Sequence, residues 1–78
     1  AVGQHVFGEL KAWRSDVARA HDLPAYVIFN NNTLKALAEA LPDDIDALQG
    51  IAGIGAKKRE AYGEEVLRVI KGSLRAAA

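Results

Sequence analysis

The chain has 78 residues, ten Lys and Arg against ten Asp and Glu, and no cysteine. One domain of this size buries only about 60% of its unfolded surface, which leaves no room for a second core or a large catalytic cleft. The cysteine count excludes disulfides, thiolate zinc sites and cysteine nucleophiles, and the charge balance removes any global field that would gather polyanions, so an anion site has to be local.

Residues 1–5 show no periodicity and read as linker or non-native sequence, as do residues 72–78 at the other end; the domain is expected over 6–71. No signal-peptide pattern opens the chain, and its longest apolar run, Ala25 to Phe29, is far too short to span a bilayer, so a soluble protein is expected. From Val6, apolar residues recur at Leu10, Trp13, Val17 and Ala20, with Phe7 beside them, which is one face of a helix. Glu9, Lys11, Asp16 and Arg19 occupy the opposite side with mixed signs and read as a solvated surface. Pro24 ends this helix, because proline disfavours the α conformation in the residue before it.

Ala25 to Phe29 has the composition of a short strand, but no second strand pattern exists to pair with it. A single helical turn docking Val27, Ile28 and Phe29 is the consistent reading. Tyr26 is then either a boundary tyrosine or an exposed aromatic. Asn30 to Thr33 is a run of N-cap residues placed before Leu34, Leu37, Ala38 and Leu41, and Pro42 stops that helix. Asp43 and Asp44 read as caps for a brief fourth helix carrying Ile45 and Leu48.

The stretch Gly50 to Arg59 holds three glycines and then a cationic triplet, Lys57, Lys58 and Arg59. It reads in two ways. As a plain connection between helices, it plugs the core with Ile51 and Ile54. As an anion seat, its glycines admit a phosphate to the backbone while the helix that follows offers unpaired N–H groups and the positive end of its dipole. That last helix is expected from Ala56 to Lys71, with Ala61, Tyr62, Val66, Leu67, Val69 and Ile70 facing inward. Its interior Gly63 costs up to about 1 kcal/mol against alanine, so close approach of another helix backbone is expected there. The expected fold is an all-α bundle of about five helices with Leu10, Trp13, Val17, Phe29, Leu34, Leu37, Leu41, Leu48, Ile54, Leu67 and Ile70 in the core.

Two stretches, Leu23 to Leu34 and Ile51 to Gly63, with the Trp13-Arg14 pair upstream, together resemble the HRDC domain, the helicase and RNase D C-terminal module, in the form carried by bacterial RecQ-type DNA helicases. The resemblance covers about Phe7 to Lys71. It implies a helical bundle without catalytic, metal or cofactor residues, an accessory domain of an ATP-dependent helicase active in DNA repair and recombination in the bacterial cytoplasm, at the nucleoid. It implies weak binding to single-stranded or junction DNA, contacts with the parent helicase core or sister domains, no membrane partner, and a monomer in isolation. Tyr26 and Lys35 match the region of the family's usual nucleic-acid face, Lys57, Lys58 and Arg59 match the basic start of its last helix, and Gly53 and Gly55 look like a helix-hairpin-helix element. Many DNA-binding copies are basic, whereas this chain is neutral and has an acidic set at Glu39, Asp43, Asp44 and Asp46. That set supports an alternative, a regulatory domain that meets the helicase core or a partner protein through an acidic face. His5 and His21 are far apart in sequence, and Ser15 and Ser73 lack an evident base, so no enzymatic site is expected.

Overall fold

The structure is a computed structural model that describes residues 2–77; Ala1 and Ala78, placed above in the terminal segments, lie outside the described residues. Helix α1 spans Val2–Ala20. Its buried line is Val6, Leu10, Arg14 and Ala18 at successive steps of four, and Phe7, Trp13 and Val17 flank it half-buried. Ala20, expected on the inner face, is exposed, because the stripe is centred one residue further round the helix than the apolar residues alone indicate. The helix closes in a Schellman motif: Leu23 N–H donates to the Ala18 carbonyl at 2.9 Å and Asp22 N–H to the Arg19 carbonyl at 3.2 Å. Asp22 takes the left-handed position at φ 55°.

Helix α2 is the single turn Ala25–Ile28, with Phe29 as its extended C-cap. Ile28 and Phe29 are buried as expected, but Val27 points outward and is exposed. Helix α3 spans Asn31–Ala40; the Asn30 side chain accepts from Thr33 N–H at 2.8 Å and caps it, and Leu41 at φ 49° ends it before Pro42. The expected fourth helix is a 3₁₀ turn, Asp46–Gly50, in which Asp44 Oδ1 accepts from Ala47 N–H at 2.8 Å. Helix α4 spans Ala56–Ala77. Among the described residues there is no strand, and no helix is long and apolar enough to cross a membrane.

Helix α1 is the central element, packed by α4, α3 and α2, while the 3₁₀ turn packs on α4. Of the expected core only Trp13, Val17 and Leu41 stand half-buried; the others are buried, together with Val6, Ala18, Ile28, Ala38, Ile51 and Val66. Each fully buried aliphatic or Phe side chain contributes about 1.5–3 kcal/mol of transfer free energy. Ala61 is exposed rather than inward. The neighbours of Gly63 are side chains, not a helix backbone: a Cβ there would lie 3.0 Å from Ile45 Cδ1 and 3.2 Å from Leu48 Cδ1. Both helices run past the bounds set at residues 6 and 71, and at the C-terminal end the cause is visible, since Ser73 is buried and Leu74 packs on the core.

Candidate nucleic-acid interface

The hairpin between the 3₁₀ turn and α4 is fixed by its own backbone and by one distant side chain. Ile51 N–H donates to the Leu48 carbonyl and Ile54 N–H to the Ile51 carbonyl, which folds the loop so that Ile51 and Ile54 are buried. Thr33, itself buried at the start of α3, donates its hydroxyl to the Ala52 carbonyl at 3.1 Å. The next residue, Gly53, sits at φ 89°, where a side chain is strained, and a Cβ there would collide with the Thr33 hydroxyl. Gly55 differs. Its φ is not in the left-handed region, and an added Cβ would meet nothing within 4 Å.

The first hydrogen bond of α4 runs from Arg59 N–H to the Gly55 carbonyl at 2.9 Å, so the amides of Ala56, Lys57 and Lys58 lie ahead of the helical ladder. Lys57 is exposed and Arg59 half-buried. Lys58 is engaged elsewhere: its Nζ lies 5.4 Å from the centroid of the Phe29 ring, a cation–π contact. Phe29 forms a triangle with Trp13 and Tyr62, with ring centroids 5.8 to 5.9 Å apart and two of the three pairs edge-on, arrangements worth about 0.5–1.5 kcal/mol each beyond their buried area. Arg14 completes this centre by donating Nη1–H to the Phe29 carbonyl at 2.9 Å.

Two contacts therefore tie the start of α4 to the α2–α3 junction, Lys58 on Phe29 and Thr33 on Ala52. Tyr26, in α2 three residues before Phe29, is 71% exposed. Lys35 stands on another surface, exposed beside a groove of about 370 Å³ between α1 and α3 that Phe7 and Ala38 also line. Of the acidic set, Glu39, Asp43, Asp44 and Asp46 are all exposed, and Asp44 Oδ1 accepts from Ala47 N–H in the 3₁₀ turn. Thr33 was missed as a site residue, since its partner is 19 positions away and no local signal marks it. Arg14 had a signal, its place at steps of four between Leu10 and Ala18.

The HRDC family model, described as the HRDC domain, matches residues 4–70. The chain belongs to the HRDC family. Its relatives include the ATP-dependent DNA helicase UvrD2 of Mycobacterium tuberculosis, 48% identical over 71 residues, which cover 91% of this chain and 10% of that protein. The ATP-dependent DNA helicase RecQ of Bacillus subtilis is 33% identical over 66 residues, covering 85% of this chain and 11% of that protein. Among solved structures, the third HRDC domain of D. radiodurans RecQ superimposes with a TM-score of 0.91 at 32% identity, covering 95% of this chain and 97% of that one. The HRDC domain thus spans about a tenth of the curated relatives it matches. Its similarity extends to UvrD2 as well as to the RecQ helicases that the motifs resembled, and its identity to UvrD2 is the higher. It is an accessory domain, of the kind carried by RecQ-type or UvrD-type helicases.

Proposed function

We propose that this HRDC domain is an auxiliary nucleic-acid-binding module of a DNA helicase, holding single-stranded or junction DNA weakly and tuning substrate binding by the parent enzyme. The observation that carries the reading is Tyr26, a large aromatic left 71% exposed in α2, three residues before the Phe29 on whose ring Lys58 lies. A base stacked on such a ring gains about 1–3 kcal/mol, with little sequence preference. Phosphates would be met by Lys57, Arg59 and the free amides of α4, with Gly55 leaving the backbone open to them and Gly53 shaping the hairpin. Lys58 would join only by leaving the Phe29 ring, and Lys35 would serve a strand that continues toward the α1–α3 groove. The test is an NMR titration with single-stranded DNA. Shifts centred on Tyr26, Gly55 and Lys57 are expected; shifts absent from all three overturn the reading.

A second reading rests on the acidic set. Glu39, Asp43, Asp44 and Asp46 are exposed, and the three aspartates flank Ile45, which is itself 36% exposed, a combination suited to a basic, partly apolar surface on a helicase core or another protein. Binding of a parent helicase core that disappears on Asp43→Asn/Asp46→Asn substitution would favour it.

A further inference from the structure

Neutral net charge conceals a separation of charge along the chain. Glu39, Asp43, Asp44 and Asp46 fall in a stretch with no base, whereas α4 beyond Glu65 carries Arg68, Lys71 and Arg75 and no acid. On a helix of 3.6 residues per turn, these three cations fall within an arc of about 60°. All three are exposed, and among the described residues none forms an ion pair. They line a groove of about 430 Å³ together with Glu64, Leu67 and Gly72.

Two features of this groove lack a structural cause. Gly72 sits inside a helix, where glycine costs stability, yet an added Cβ would meet nothing within 4 Å, so neither a close neighbour nor packing requires it. The attraction of cations to the negative end of a helix accounts for Arg75 in the last turn, but it fades beyond that turn and leaves Arg68 and Lys71 unexplained. A bare stretch of helix flanked by three unpaired cations suits a ligand that brings negative charge on a backbone close to the helix.

We infer that the C-terminal half of α4, through Arg68, Lys71 and Arg75, is a second contact surface for the phosphate backbone of single-stranded nucleic acid, separate from the hairpin. This rests on the nucleic-acid reading given above. Arg68 is nine residues from Arg59, the nearest cation of the hairpin cluster, about 14 Å along the helix, which exceeds the Debye length of about 10 Å at 0.1 M salt. The two clusters therefore act independently, and each adds its own share to the salt dependence. Glu64, at the groove's edge, opposes the ligand.

The experiment is fluorescence anisotropy of labelled oligothymidylate with the 78-residue chain over a salt series, comparing the unaltered protein, the triple variant Arg68→Gln/Lys71→Gln/Arg75→Gln, and Glu64→Gln. Six phosphate contacts give a log–log salt slope near −4 and three a slope near −2, at about 0.7 per contact for single strands. The triple variant should lose about two units of slope and bind at least about tenfold more weakly at 50 mM salt, while Glu64→Gln should bind more tightly. The melting temperature of the triple variant should fall by no more than a few degrees, since all the substituted groups are exposed and only Arg75 meets the negative end of the helix. If the unaltered protein binds and the triple variant matches it in slope and affinity, the inference is overturned and the hairpin reading stands. If the unaltered protein fails to bind at low salt, both fall. An oligoglutamate peptide that depends on the three cations when oligothymidylate does not would also overturn the inference, assigning the groove to an acidic protein segment.

Discussion

The hydroxyl of Thr33 occupies the space that a Cβ on Gly53 would need. That contact, with the bond from the same hydroxyl to the Ala52 carbonyl, locks the hairpin onto the start of α3. It divides the two hairpin glycines, which the sequence presents as equivalents. Gly53→Ala meets both a positive φ and a collision, and should destabilise the domain by about 2 kcal/mol or more. Gly55→Ala meets neither and should cost about 0.5 kcal/mol as a poorer N-cap. Urea denaturation measures both, and a DNA titration of the Gly55 variant then reports the phosphate seat: binding should fall although the protein stays folded. Unchanged binding would restrict both glycines to structural work.

Among the described residues Arg14 is the one charged side chain that is buried, at 7% exposure, and it donates to the Phe29 carbonyl. Its Nε is buried without a partner. Arg14→Met keeps most of the stem but strands the carbonyl, so a loss of about 2 kcal/mol is expected, within the range for a hydrogen bond to a charged group. Chemical denaturation checks it, and a near-UV spectrum should show the Trp13–Phe29–Tyr62 cluster loosened. A variant as stable as the parent would mean that the Phe29 carbonyl finds water instead.

The end of α1 offers a change in the other direction. Asp22 holds the left-handed residue of the Schellman motif at φ 55° and places a negative charge at the negative end of the helix. Asp22→Gly removes both penalties at the cost of a more flexible unfolded chain, and should stabilise by about 0.5–1 kcal/mol. A melting temperature that falls would show that the Asp22 side chain makes a contribution the backbone geometry does not reveal.

What the sequence made legible is what local periodicity and capping chemistry encode. Leu34, Leu37, Val66 and Ile70 were placed inward by spacing, and Asn30 caps α3 as its position predicts. What escaped is non-local or polar. Arg14 lies on the buried line of α1, but its charge sets it apart from the apolar periodicity that marks the rest of that line. Thr33 stood among cap residues that all face solvent in an isolated helix, and only the arrival of Ala52 gives its hydroxyl a reason to be buried. Val27 faces out because a single turn cannot bury three consecutive residues at once. In the site, Tyr26 is exposed as the nucleic-acid reading requires, whereas the diversion of Lys58 to the Phe29 ring depends on a packing that spacing does not encode.

Tyr26 and the cations can be separated by how binding responds to salt. Stacking a base on the Tyr26 ring releases no counterion, whereas each phosphate met by a Lys or Arg does. Tyr26→Ala should therefore weaken single-stranded DNA binding by about 1–3 kcal/mol, roughly 5- to 150-fold, and leave the salt slope where it was. Because Tyr26 is 71% exposed, the same substitution should leave the melting temperature nearly unchanged. Charge reversal at Lys57, Lys58 and Arg59 should do the opposite, flattening the slope by about two units, while reversal at Arg19, paired with Asp16 on the far side of α1's buried line, should have little effect. A Tyr26→Ala protein that binds as tightly as the parent, with its slope intact, would remove the aromatic from the interface and leave a purely electrostatic contact.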